Sequence, residues 1–147
     1  MKDKKIIVLM GGPSKEAEVS RRTGAAIAEA LVSKGYRAQT LELNPRTVLQ
    51  DIDSLGGEVV FNAIHGRYGE DGALQGLLEM AEIPYTGSGI MAHAVGMNKK
   101  VSKDVFKGAN IPTARSESYN GNLESAEAII DHIRKEFTIP VVVKSAT

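Results

Sequence analysis

Five consecutive apolar residues, Ile6-Ile7-Val8-Leu9-Met10, end abruptly at Gly11-Gly12-Pro13. A short run without alternation reads as a strand buried on both faces, the pattern of a parallel sheet covered by helices above and below. The chain after it agrees. Gly24, Ala28 and Leu31 recur at helical spacing with Ile27 beside them, and Gly35 is a suitable residue just past a helix end. Ala38 to Leu43 reads as a second strand, Asn44-Pro45-Arg46 as a turn and Thr47 to Ile52 as a weak helix. Val59 to Ile64 is a third strand ending at His65-Gly66. Leu74, Leu77, Leu78 and Ala81 mark the next helix, with Asp71 as its expected N-cap. Pro84-Tyr85-Thr86-Gly87 reads as a short strand and turn, and Gly89 to Met97 as a helix of small residues. The alternation predicts an α/β fold with a doubly wound, mostly parallel sheet.

Past Met97 the pattern changes. Lys99 to Ala109 reads as a helix with Val101, Val105 and Ala109 turned inward and Lys99, Lys103 and Lys107 on another face. Ile111 to Ser116 is an expected strand. Ala126, Ile129, Ile130, Ile133 and Phe137 form an amphipathic helical stripe, and Val141-Val142-Val143 leads as a strand to Lys144. The expected domains are 1–98 and 99–147.

Composition narrows the function classes. Of 147 residues, 18 are Lys or Arg and 18 Asp or Glu, so the formal net charge is zero; this argues against a nucleic-acid partner. Nothing in the sequence is apolar for long enough to span a bilayer, and the run after Lys5 is too short for a signal-peptide core. Cys is absent, which excludes disulfides, thiolate metal sites and Cys nucleophiles and fits a cytoplasmic protein.

Four groups of residues carry possible chemistry. Gly11-Gly12-Pro13-Ser14 lies between a strand and a helix, where backbone N–H groups meet an anion in some folds and merely turn the chain in others. Its spacing matches neither the dinucleotide fingerprint nor a Walker loop. Glu16 and Glu18 are two apart, so on a helix they do not share a face. Each either complements a helix N-terminus or meets a ligand cation where the first strand ends. The loop His65-Gly66-Arg67-Tyr68-Gly69-Glu70-Asp71-Gly72 holds three glycines and four ionisable side chains at another strand end, a place for ligand contact or for a structural His. Lys144 ends an apolar strand and Lys99 opens a helix; each either reaches a phosphate or is solvated with a packed stem. His93 and His132 fall inside helical patterns and read as structural or surface residues.

In this order and spacing, Gly11 to Ser20, His65 to Gly72 with Leu74-Gln75-Gly76, Pro84 to Gly89, Met97-Asn98-Lys99 and Pro140 to Lys144 resemble the N-terminal part of the D-alanine–D-alanine ligases, ATP-grasp enzymes of cell-wall synthesis. The resemblance covers essentially the whole chain. It implies a Rossmann-like domain that precedes the ATP-grasp domain, followed by the opening of the ATP-grasp domain itself. It also implies an ATP-dependent ligation in which one D-alanine carboxylate is phosphorylated and the amine of a second attacks the acyl phosphate. Glu16 matches the glutamate that holds the first D-alanine's ammonium, and His65 the histidine near its carboxylate. Val19 and Ser20 match residues lining that pocket, and Lys99 and Lys144 the ATP-site lysines. The resemblance places the Mg²⁺ ligands, the loop over the phosphates and a closing arginine beyond Thr147, so the chain alone is expected to be inactive. It further implies a cytoplasmic homodimer. A non-catalytic pairing or binding module, or a ligase joining D-alanine to D-lactate or D-serine, are the alternatives. Departures from the family are Ala17 for Arg, Asn98 for Asp and Ser145 for Pro. Asn98 is expected to weaken a helix start or a local network, and Ser145 to loosen a turn.

Overall fold

The computed structural model describes residues 2–146, which divide between Met97 and Asn98 into two compact units. In the first, β1 (Lys5–Met10) pairs in parallel with β2 (Arg37–Glu42) on one side and β3 (Val59–Asn62) on the other, giving the order β2-β1-β3. One further parallel bridge joins Val60 to Tyr85, where the sequence suggested a short strand. The central position of β1 explains its unbroken apolar run, because both of its faces are covered. Ile7 and Leu9 point into a cluster with Val48, Ile52, Leu74 and Leu78. Ile6 and Val8 point the other way, against Ala28, Ile27 and Leu31. The first cluster is closed by α2 (Val48–Ser54) and α3 (Ala73–Met80), the second by α1 (Ala17–Ser33). Helices on both faces of a parallel sheet are the doubly wound arrangement expected from the sequence.

The ends of α1 follow local rules. Its C-terminus closes where Tyr36 N–H donates to Leu31 O at 3.0 Å and Gly35 N–H to Val32 O at 2.9 Å, with Gly35 just past the cap. Several boundaries shift by one or two residues from expectation, and two of the shifts have a clear local cause. β3 stops at Asn62 because the Asn62 side chain accepts the Ile64 N–H at 3.1 Å, turning the chain out of the strand. The N-cap of α3 is Gly72, whose φ of +92° a side chain would strain, and Asp71 sits one residue earlier, accepting from Ala73 N–H at 3.1 Å. α4 (Ile90–Met97) completes the unit and buries none of its residues.

The second unit holds α5 (Lys99–Gly108) and α6 (Ala126–Glu136). Its expected strands do not form: among the described residues, 111–116 and 141–143 pair with no other strand, and Val142 and Val143 are 81% and 83% exposed. Val101 and Val105, expected inward, are exposed as well. Ladder bonds and burial are supplied by partners, and neither segment has one here. Asn98 does not weaken the start of α5. Its side chain accepts the Val101 N–H at 3.0 Å, as an N-cap should. A cluster on α6 holds the 111–119 segment. Glu117 accepts from Tyr119 and lies 2.6 Å from His132 Nε2, while Arg115 pairs with Glu136 at 2.8 Å and covers the Phe137 ring. His132 is thus a surface residue, as the sequence suggested.

Candidate functional site

The carboxyl ends of β1 and β3 lie side by side because the two strands are neighbours, and the loops leaving them meet. Ser14 Oγ donates to the His65 carbonyl at 2.8 Å and also accepts the Glu16 N–H at 3.1 Å. Glu16 is the N-cap residue of α1, yet its side chain caps nothing. Its carboxylate rests instead against Gly66, where a Cβ would lie 3.0 Å from Glu16 Oε2. Gly66 has a φ of +74°, so this seat exists only because the residue is glycine. The Gly66 N–H donates to Glu70 Oε2 at 2.7 Å and the Gly66 carbonyl accepts the Glu70 N–H at 3.0 Å, which folds the loop into a tight turn. Glu16 and the His65 loop are therefore brought together. Glu16 accepts no side-chain hydrogen bond among the described residues, which leaves its carboxylate available to a cation.

Ser20 is completely buried between the same strand ends. Its hydroxyl accepts the Gly11 N–H at 2.8 Å and donates to the Ala63 carbonyl at 2.7 Å. By accepting one hydrogen bond and donating another, Ser20 holds β1 and β3 together beneath the loops. Val19, one residue earlier on α1, is 44% exposed. On the outer side, the Gly12 N–H donates to Glu42 Oε1 at 3.1 Å, and Arg21 clasps the Glu42 carboxylate from Nε and from a terminal nitrogen, the closest contact being 2.7 Å. The Arg21 guanidinium, with the Gly12 N–H, lowers the Glu42 carboxyl below its ordinary value. The Gly11-Gly12 loop is thus tied down on both sides.

Beside the loops opens a cleft of about 300 Å³ lined by Thr23 and Ile27 of α1, Asn62 and His65 of the third strand end, Glu70 and His93. Glu16 is not on its wall. His93 was expected to be structural or on the surface. It lines this cleft from α4, with a buried Nε2 that has no hydrogen-bond partner among the described residues. Thr23 and Asn62 stand out in no sequence motif, because each lies in an ordinary helical or strand pattern, and Thr86 joins them on the cleft wall from the turn after Tyr85. Only the fold brings them to one place.

The two candidate phosphate lysines lie in the second unit. The Lys99 N–H donates to the Ala146 carbonyl at 2.9 Å, so the start of α5 is tied to the segment that carries Lys144. Both lysines are exposed, and neither ammonium has an ion-pair partner among the described residues. Each ammonium is free to meet an anion. No three His, Cys, Asp or Glu side chains among the described residues are grouped so as to hold a metal ion.

Several known proteins are similar to this chain. Residues 38–88 match the family described as D-ala D-ala ligase N-terminus. A D-alanine–D-alanine ligase of Methylocella silvestris is 47% identical over 141 residues, which is 96% of this chain and 43% of that protein. A crystal structure of the D-alanine–D-alanine ligase of Bacillus anthracis superposes with a TM-score of 0.70 at 30% identity, covering 91% of this chain and 43% of that one. A second structure of that ligase, complexed with ATP, gives 0.69 at 30% identity over 90% of this chain and 42% of that one. The chain spans less than half the length of these relatives. Over nearly all of its own length, the chain is similar to part of the D-alanine–D-alanine ligases, and residues 38–88 match the family of their N-terminus.

Proposed function

We propose that the chain is the N-terminal part of an ATP-dependent ligase that joins two D-alanines into D-alanyl-D-alanine for peptidoglycan synthesis. The observation that carries this reading is the free Glu16 carboxylate seated on Gly66, where the loops of two adjacent parallel strands meet. Ligands of open α/β sheets bind at this end of the strands. Glu16 holds the ammonium of the first D-alanine by a charge-assisted hydrogen bond. His65 lies on the carboxylate side of the same substrate, Val19 lends apolar surface, and Ser20 acts from below by fixing the strand ends.

Lys99 and Lys144 meet phosphate oxygens of ATP and offset the charge that develops during phosphoryl transfer. ATP supplies the phosphoryl group that activates the carboxylate. The Mg²⁺ that accompanies it is assigned to ligands in the part of the relatives that this chain does not span. In domain terms, 1–98 precede an ATP-grasp domain and 99–147 open it. We place the protein in the cytoplasm; no helix among the described residues is long and apolar enough to cross a membrane. Exposed Met80, Ile90 and Met91, on the touching helices α3 and α4, support pairing as a homodimer.

The test uses protein extended to the full length of the relatives and follows ADP and dipeptide release from ATP, Mg²⁺ and D-alanine. Glu16→Gln should lower turnover by about 10²–10³, the usual cost of one preorganised electrostatic group. Full turnover in the Glu16→Gln enzyme would overturn the assignment.

A further inference from the structure

Gln75 is completely buried on the core face of α3, next to the core residues Leu74 and Leu78. A carboxamide at such a position carries a desolvation cost that an aliphatic side chain of similar volume does not. Its Nε2 donates to the Gly69 carbonyl at 2.7 Å, while its Oε1 has no partner among the described residues. Only the donor is used, so the donor is what the position requires. The same carbonyl accepts a second hydrogen bond, at 2.8 Å, from Asn62 Nδ2 at the end of β3. Two amides, one rooted in a helix and one in a strand, converge on one oxygen in the middle of the 65–72 loop. Gly69 is also pressed against Ile64, where a Cβ would come within 2.3 Å of the Ile64 Cβ. The next residue, Glu70, is the one whose carboxylate takes the Gly66 N–H.

We propose that Gln75 is a positioning residue of the candidate site. Through the Gly69 carbonyl it holds the Gly66–Glu70 turn, and with it the seat of the Glu16 carboxylate and the place of His65. Losing the Gln75 donor leaves the Gly69 carbonyl held by Asn62 alone, which loosens the turn that sets Gly66 against Glu16 while the sheet keeps its own ladder bonds. The consequence for D-alanine rests on the function proposed above; the holding of the turn does not.

Gln75→Met keeps the volume, suits the core and removes the donor. Amide hydrogen exchange at Gly66 and Glu70 should accelerate about tenfold, roughly one hydrogen bond's worth, while the β1 amides and the urea midpoint stay unchanged or move toward greater stability. Equal acceleration in the loop and in β1, no acceleration at all, or a chain that no longer folds would assign Gln75 to the core and overturn the proposal. A D-alanine titration followed at the His65 ring protons supplies the second readout, with the response of the unmodified chain weakened in the variant. If the unmodified chain shows no response, the D-alanine reading of the site fails, and the exchange result still decides the role of Gln75.

Discussion

At the scale of single residues, the site is held by groups far apart in the chain. Glu42 is the clearest case, because its carboxylate joins the end of β2 to Arg21 on α1 and to the Gly12 N–H. The Arg21 guanidinium first, then the Gly12 N–H, depresses its folded-state pKa below 4.5. A depressed carboxyl contributes stability above its unfolded pKa and loses it as pH falls through the folded one. Stability should therefore decline below about pH 4.5, with Glu42 contributing part of the decline. Both side chains are nearly half exposed, so solvent screens the pair and its share is small. In Arg21→Ala, urea midpoints at pH 7 and pH 3 should differ by less than in the unmodified chain; identical differences would remove the pair from the account. Little of this was legible in the sequence. Arg21 and Glu42 belong to no motif, and Gln75 stands in the segment Leu74-Gln75-Gly76 with nothing in the sequence to say where its amide points.

At the scale of elements, the helix spacing was legible and the closeness of packing was not. Gly24 recurs with Ala28 on the inner stripe of α1, as periodicity indicates. Its reason lies in β1: a Cβ at Gly24 would come within 2.6 Å of the Met10 Cβ. Gly24→Ala sets two effects against each other. Helix propensity favours alanine by about 1 kcal/mol, and overpacking against a central strand costs about 1–3 kcal/mol. The clash is with a Cβ, which cannot swing aside, so overpacking wins. Urea denaturation should show net destabilisation, and a gain in stability would mean that α1 moves off the sheet at no cost. The strands expected at 111–116 and 141–143 failed for the converse reason. Apolar β-branched residues specify a tendency to extend, but a ladder exists only where another backbone presents its N–H and C=O groups.

At the scale of the whole molecule, the two units differ in how much they bury. The first encloses two apolar clusters on either side of β1. The second leaves Val142 and Val143 exposed and holds its connecting segment by surface ion pairs around Glu117 and Arg115. Surface pairs contribute little compared with apolar burial. Hydrogen exchange should therefore be much faster in α5 and α6 than in β1, approaching the limit for local opening. Equal protection in the two regions would show that the second unit is stabilised by contacts of its own or with another molecule.

The sequence by itself determined which segments are strands and helices in the first unit, that its sheet is parallel and covered on both faces, and that Glu16 and His65 leave the carboxyl ends of strands. These follow from periodicity and from glycine and proline punctuation, which are local and written in consecutive residues. Only the tertiary structure decided that β1 and β3 are neighbours, that Glu16 rests on Gly66, and that Ser20 and Gln75 spend their hydrogen bonds on strand ends and a loop carbonyl. Those contacts join residues tens of positions apart or turn on a single donor's direction. No local pattern records them, because they form when the sheet pairs and the core closes around them.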